Sequence, residues 1–195
     1  MAMNRLDAIR RLARLLDREP VIANLGKNTY DLYASGDRPE NFYTWGAMGS
    51  VSSIGLGLAL ARPDLRVIVL DGDGSLLMNL GSRATIALLR PVNLVHIVCD
   101  TGTYETTGGQ ISHTAGPADL AAIGRGAGLS HVAVVTDLDA FEEAARRGLR
   151  EPGPWFIVAK TEGTASTAKV PRRPLYHKHR FMDAIGSAPR ERPHR

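Results

Sequence analysis

The stretch "VIVLDGDGSLLMNLG", residues 67–81, decides how this chain is read. Val67 to Leu70 form a continuous apolar run of strand type, and Leu76 onward has helical character. Between them lies a tight turn carrying two aspartates and two glycines. A run without polar alternation fits a strand buried on both faces, the usual state of a parallel sheet. Gly72 and Gly74 let the backbone approach a ligand closely, and a helix start offers unpaired N–H groups to an anion. Asp73, set between them, is repelled by an anion unless a cation lies in between. Magnesium and calcium fit that role, because both take carboxylate, carbonyl and phosphate oxygens. Taken alone, the turn is equally explained by Asp73 or Ser75 capping the helix. Asp71, near the strand's end, reads as structural.

Outward from this turn the chain alternates regularly between strand and helix patterns. Leu6 to Arg18 is amphipathic, "VIANLG" is a short strand before the helical "NTYDLYAS", and "NFYTW" is another strand. "GAMGSVSSIGLGLALA" has a helical pattern despite its glycines, and "LLMNLGSRATIALLR" reads as one helix. "NLVHIVCD", "HVAVV" and "WFIVAK" are further strands, separated by helices near "PADLAAIGRGAG" and "DLDAFEEAARRGLR". The polar "TGTYETTGGQISHTAG" reads as a loop. The expectation is an α/β fold: a single domain with a six-stranded, mostly parallel sheet and helices on both faces. It spans residues 1–165, with a basic C-terminal extension over 166–195 that is partly helical or disordered. Ligands of such sheets sit beyond the carboxyl ends of the strands, near a topological switch point.

A second oxygen-rich turn follows the next strand. "VCDTGTYETTGG" (98–109) places Asp100, Thr101 and Thr103 in a glycine turn, with Thr101 28 residues beyond Asp73. Adjacent parallel strands bring the two turns together, and together they suit one cation and one diphosphate.

"GDGS", a helix, a strand and then "DTGTY" resemble the diphosphate-binding half of thiamine-diphosphate-dependent enzymes. The similarity extends over "WGAMGSVSSIGLGLALARPDLRVIVLDGDGSLLMNLG" (45–81), "TGGQISHT" (107–114) and "KVPRRPLYHKHRFMDAI" (169–185), within the sulfopyruvate and phosphonopyruvate decarboxylase subgroup. The resemblance implies a beta-type subunit of a 2-oxo acid decarboxylase, with thiamine diphosphate and Mg2+ as cofactors. It implies that Asp73 ligates the metal through its carboxylate and Thr103 through its carbonyl. Thr101 stands where the family has a metal-binding asparagine, and its hydroxyl is the shorter, poorer ligand. Gly72, Gly74 and Ser75 would hold the diphosphate, with Asn28 beside them. Gly46 would offer its carbonyl to the aminopyrimidine, and Met48 would wedge the cofactor bent. His113 and Gln110 are the catalytic candidates near the substrate, and Lys27 faces either the diphosphate or a second acidic group of the substrate.

The family takes its activating glutamate from a separate pyrimidine-binding domain, for which this chain has no matching motif. The resemblance therefore implies an alpha-type partner subunit carrying that domain and that glutamate, in a hetero-oligomer. A carboligase subunit of the acetolactate-synthase type and a catalytically inactive scaffolding subunit are the alternatives. A Rossmann-type nucleotide module is disfavoured, because no GxGxxG opens the first strand–helix turn.

Bulk composition excludes other classes. The formal charge is +4, but residues 168–195 carry eight basic and two acidic residues, leaving sixteen against eighteen elsewhere. Without a basic stripe interleaved with aromatics, nucleic acid is not an expected partner. No apolar run reaches the roughly 18 residues that cross a bilayer. The N-terminus lacks a secretory pattern, so a cytoplasmic location is expected. The single cysteine, Cys99, lies in a strand and should be buried and inert, and the six histidines show no zinc spacing.

Overall fold

The computed structural model describes residues 3–163 and 166–186. Strands are β1 (Met3–Asn4), β2 (Val21–Ala23), β3 (Asn41–Tyr43), β4 (Val67–Gly72), β5 (Leu94–Asp100), β6 (Thr103–Tyr104), β7 (Gln110–Ile111), β8 (His131–Val135) and β9 (Trp155–Glu162). Helices are α1 (Arg5–Leu15), α2 (Lys27–Ala34), α3 (Val51–Ala61), α4 (Asp73–Leu77), α5 (Ser82–Leu89), α6 (Leu120–Gly126), α7 (Leu138–Arg150) and α8 (Pro174–Ala184). A parallel sheet runs β9-β5-β4-β2-β3, and the outer edge of β9 is shared by β8 and, further along, β1. The six expected strands are all present, and the two-residue β1 makes the sheet seven-stranded. Among the described residues, no helix is long and apolar enough to cross a membrane.

Both faces of the sheet are covered, as the continuous apolar runs require. Along β4, Ile68 and Leu70 join the layer beneath α1, α2 and α7, while Val67 and Val69 join the layer beneath α3, α5 and α6. Helix α7 shows how its sequence sets this packing. Asp137 caps it by accepting from the N–H groups of Asp139 (3.1 Å) and Ala140 (2.9 Å), and Phe141, Ala144, Ala145 and Gly148 form its buried stripe. In the C-terminal extension, α8 lies against β3 and buries His177 and Phe181, so residues 166–186 pack onto the body. Residues 187–195 of that extension lie outside the described residues.

Three local expectations change. The single helix over 76–90 is two, α4 and α5, because Met78 and Asn79 donate to carbonyls three residues back, at 3.1 and 2.9 Å. The glycine-rich helix begins only at Val51, since Ala47 and Gly49 both adopt left-handed backbone at φ 56° and 89°. The polar loop after β5 contains the antiparallel β6–β7 hairpin and a short 3-10 turn, His113–Ala115.

Beneath the aspartate turn, three titratable side chains are buried together. Asp71 accepts the Gly72 N–H (2.9 Å) and approaches His96 Nε2 at 3.3 Å, out of hydrogen-bond alignment. The Arg83 guanidinium lies over the Phe156 ring, 5.0 Å from its centroid, and burial pushes it down to about 10. Burial, helped by Arg83, lowers His96 from 6.5 to about 4. A histidine depressed in the fold binds fewer protons than in the unfolded chain, so its contribution is complete above about pH 6.5 and is lost as pH falls toward 4. Urea denaturation from pH 7 to 4 should show unfolding free energy declining over this window by a few kcal/mol, at about 1.4 kcal/mol per pH unit at most. The decline should be shallower in His96→Gln.

Candidate cofactor and metal site

Strand β2 is flanked by β3 on one side and β4 on the other, and after the edge strand β3 the chain crosses back over β2 to β4, from where the order runs the other way. The carboxyl ends of β2 and β4 therefore border a topological switch point, where a crevice opens. A cavity of about 360 Å³ occupies it. It is lined from β2 by Asn24, Lys27 and Asn28, from β4 by Gly72 to Ser75, from β5 by Thr101, Thr103 and Tyr104, and from the loop after β3 by Met48. The pairing of β4 with β5 sets Gly72 opposite Cys99, which delivers both oxygen-rich turns to one side of the sheet.

Asp73 is the centre of this arrangement and is 2% exposed. Its Oδ1 accepts the Thr101 N–H at 3.3 Å. Its Oδ2 accepts the Thr114 hydroxyl at 3.0 Å and the Ser112 hydroxyl. Burial raises the Asp73 carboxyl above its ordinary range, and the negative charge of Asp100 adds to the effect, against the bonds from Ser112, Thr101 and Thr114. Asp100 is itself committed: it shares the one Thr114 hydroxyl proton (2.7 Å) with Asp73, accepts the Gly102 N–H (3.2 Å) and pairs with Lys160. The Thr101 hydroxyl points along the turn to the Thr103 carbonyl at 3.3 Å.

These groups fit a hard divalent cation. The carboxylate of Asp73, the hydroxyl of Thr101 and the carbonyl of Thr103 belong to residues lining one cavity, all oxygen, without nitrogen or sulfur ligands. Among the described residues no cluster of three or more His, Cys, Asp and Glu side chains could hold a metal alone. A site with one carboxylate suits magnesium, which commonly completes its shell with water and phosphate oxygens. The diphosphate cradle is equally specific. A Cβ on Gly74 would lie 2.4 Å from the Tyr104 ring, so only glycine lets the two turns close this tightly. The Ser75 hydroxyl accepts the Gly49 N–H at 3.0 Å, which leaves its own proton to donate to an anion. The side-chain amides of Asn28 and Asn24 both stand close to Gly72, and the Asn24 Oδ1 is buried without a partner among the described residues.

The loop that carries Met48 is fastened to this cradle. Asn79 donates from its amide to the Gly49 carbonyl (3.0 Å) and to Ser53 (3.2 Å). Ala47 takes a left-handed conformation that costs a non-glycine residue roughly 1 kcal/mol, a form of local strain found where a loop is held for function. Met48 then projects into the cavity, half-exposed. Gly46 is exposed and outside the cavity lining. His113 and Gln110 are exposed and outside it as well; Gln110 bonds to Thr107 in its own hairpin (3.0 Å). Cys99 forms part of the floor, and burial pushes its thiol up to about 12, so it is inert.

Sequence patterns did not single out Asn24, Tyr104, Ser112 or Thr114. The last two carried a faint signal, as hydroxyls flanking His113 in a loop already placed near the turn. The raised carboxyl of Asp73 has a measurable consequence. A group raised in the fold stabilises the protonated form, so without a cation the ionised carboxylate is unfavourable at neutral pH. Asp73→Asn should therefore raise the thermal stability of the cofactor-free chain at pH 7.5, by on the order of 1 kcal/mol, read by calorimetric melting.

Comparison with known proteins places this geometry. Residues 25–159 match the family model described as thiamine pyrophosphate enzyme, C-terminal TPP binding domain. The beta subunit of sulfopyruvate decarboxylase from Methanocaldococcus jannaschii is 40% identical over 189 residues, 95% of this chain and 98% of that one. Phosphonopyruvate decarboxylase from Streptomyces viridochromogenes is 42% identical over 154 residues, which are 78% of this chain and 38% of the longer relative. The solved thiamine diphosphate-dependent 4-hydroxybenzoylformate decarboxylase of Rhodococcus jostii RHA1 shares the fold at a TM-score of 0.70 and 19% identity. That match covers 85% of this chain and 34% of that structure.

Proposed function

Because the chain belongs to the thiamine pyrophosphate enzymes, as a beta-type subunit of their sulfopyruvate- and phosphonopyruvate-decarboxylase branch, we propose that it holds the diphosphate and magnesium of thiamine diphosphate. Its active site is completed by an alpha-type subunit that carries the pyrimidine-binding domain and the activating glutamate. The substrate is a small 2-oxo acid with a second acidic group, of the 3-sulfo- or 3-phosphono-pyruvate class that the relatives' names specify. The relative named as a beta subunit has nearly the length of this chain, which supports a hetero-oligomer.

One observation carries the reading: the β4–β5 register brings Asp73 and Thr101 within hydrogen-bond reach at the mouth of one cavity. In it Asp73, the Thr101 hydroxyl and the Thr103 carbonyl would hold magnesium, and Gly74, Ser75 and Asn28 would hold the phosphate oxygens. Met48 would support the cofactor from below, and Gly46 would present its carbonyl at the rim. When bound, the cofactor supplies the electron sink that lets carbon dioxide leave the 2-oxo acid. The chain's part is to fix and shield that group. His113 and Gln110, on the rim, would meet substrate only once the partner closes over them.

The deciding experiment is calorimetric titration of thiamine diphosphate with magnesium into the full chain, alone and with its alpha-type partner. Metal-dependent binding that tightens with the partner and is lost in Asp73→Asn is the expected result. Absence of binding in every combination would overturn the reading and leave a scaffold. The Thr101 site has its own test. Thr101→Asn gives the metal an amide carbonyl in place of a hydroxyl, and should lower the magnesium concentration for half-saturation by roughly tenfold, the effect of one good ligand contact.

A further inference from the structure

A second cavity, of about 690 Å³, adjoins the first and shares Leu25, Lys27, Glu105 and Thr106 with it as a common wall. Its far side is formed by Trp45, just past β3, and by Arg172, just before α8. None of the residues assigned above to the diphosphate or the metal lines it.

The charge of this chamber is positive. Lys27 and Arg172 make no ion pair or hydrogen bond with any described residue. The one carboxylate on its wall, Glu105, is bound by the buried guanidinium of Arg5, which also holds Asp31 at 2.7 Å. The indole N–H of Trp45 is buried and has no acceptor among the described residues. The hydroxyls of Thr29 and Thr44 are already donated to the carbonyls of Asn24 (2.6 Å) and Ala23 (3.0 Å). What remains available on the chamber wall is two cations, with the hydroxyls of Tyr30 and Thr106 beside them, and an anion is the ligand that satisfies both cations.

We propose that Lys27 and Arg172 form the subsite for the second acidic group of the substrate. They thereby set selectivity for a dianionic 2-oxo acid over a monoacid such as pyruvate. The inference rests on the decarboxylase reading above and adds the residues that choose the substrate. The shared wall makes the geometry workable. The keto carbon stays on the cofactor side, while the sulfonate or phosphonate passes Lys27 into the chamber. Arg172 supplies a planar fork that matches two oxygens of such a group, and Lys27 supplies a point charge at the threshold. Arg172 borders only the chamber, whereas Lys27 borders both cavities, so Arg172 is the residue to change.

The test uses the full chain assembled with its alpha-type partner, thiamine diphosphate and magnesium. Decarboxylation of 3-phosphonopyruvate and of pyruvate is measured for the wild type, Arg172→Gln and Arg172→Lys. Arg172→Gln should reduce the ratio of kcat/KM for phosphonopyruvate over pyruvate by about tenfold, the size of one charge-assisted contact, mostly through KM. Arg172→Lys should recover part of it. An unchanged ratio, or an equal loss on both acids, overturns the proposal. A second readout is independent of turnover: calorimetric titration of phosphonoacetate into the same assembly, where Arg172→Gln should weaken binding about tenfold. If the wild-type assembly turns over no 2-oxo acid, the decarboxylase reading fails and this titration alone decides the subsite. Phosphonoacetate that does not bind, or binds equally to both proteins, overturns it.

Discussion

The site depends on one pairing, that of β4 with β5 in the register setting Gly72 opposite Cys99. Each strand is buried on both faces, so the register is fixed by apolar packing rather than by anything in the turns. A slip of one residue would move the second turn by about 3.3 Å along the sheet and reverse which face each side chain enters. Asp71 and His96 would leave their buried pair, and Ile97 would cross to the layer that holds Val69. The contact between Asp73 and Thr101 is thus a product of the hydrophobic core. Two loops that look flexible in sequence are held to within a hydrogen bond by strands that contribute no chemistry.

The same core makes Asp73 an expensive residue. It lies among dry neighbours with another carboxylate, Asp100, close enough to oppose its charge. Two hydroxyls and one backbone N–H hold it, which suffices for position but does not neutralise it. A cation on Oδ1 would complete the balance, and the phosphate oxygens of a ligand would complete the cation. The strained Ala47 and the Asn79 amide act in the same sense, holding the Met48 loop against the cradle before any ligand arrives. Local order here is set for binding and against the stability of the empty chain.

Much of this was legible in sequence, and the residues show why. The apolar runs of β4, β5 and β9 carry their burial in their composition, and the spacing from Asp73 to Thr101 fits one strand–helix–strand unit. The break between α4 and α5 was not legible, because Leu76 to Leu89 keeps a helical period throughout. It arises from Asn79, whose amide serves the Gly49 loop, a tertiary partner with no trace in periodicity. The partners of Asp73 were missed for a similar reason. Ser112 and Thr114 reach it through a hairpin and a 3-10 turn, and the path of such a loop is set by its landing place. His113 and Gln110 lie in that same loop and are exposed, His113 in the 3-10 turn and Gln110 in the hairpin.

The distribution of acids argues for a site finished from outside the chain. Four carboxylates stand in or near the two cavities, and each is already engaged. Glu105 and Asp31 share the Arg5 guanidinium, Asp100 is held by Lys160 and Thr114, and Asp73 is held by Thr101, Ser112 and Thr114. Freeing Glu105 as a proton donor would strip Arg5, 1% exposed, of a carboxylate partner, which removal experiments on buried pairs put at about 3–5 kcal/mol. A buried ion pair of that kind is a poor source of a mobile proton. The acid that thiamine diphosphate chemistry requires is therefore better supplied by a second polypeptide approaching the exposed rim at Gly46 and Met48. There the chain offers backbone, a thioether and open access, and no free carboxylate.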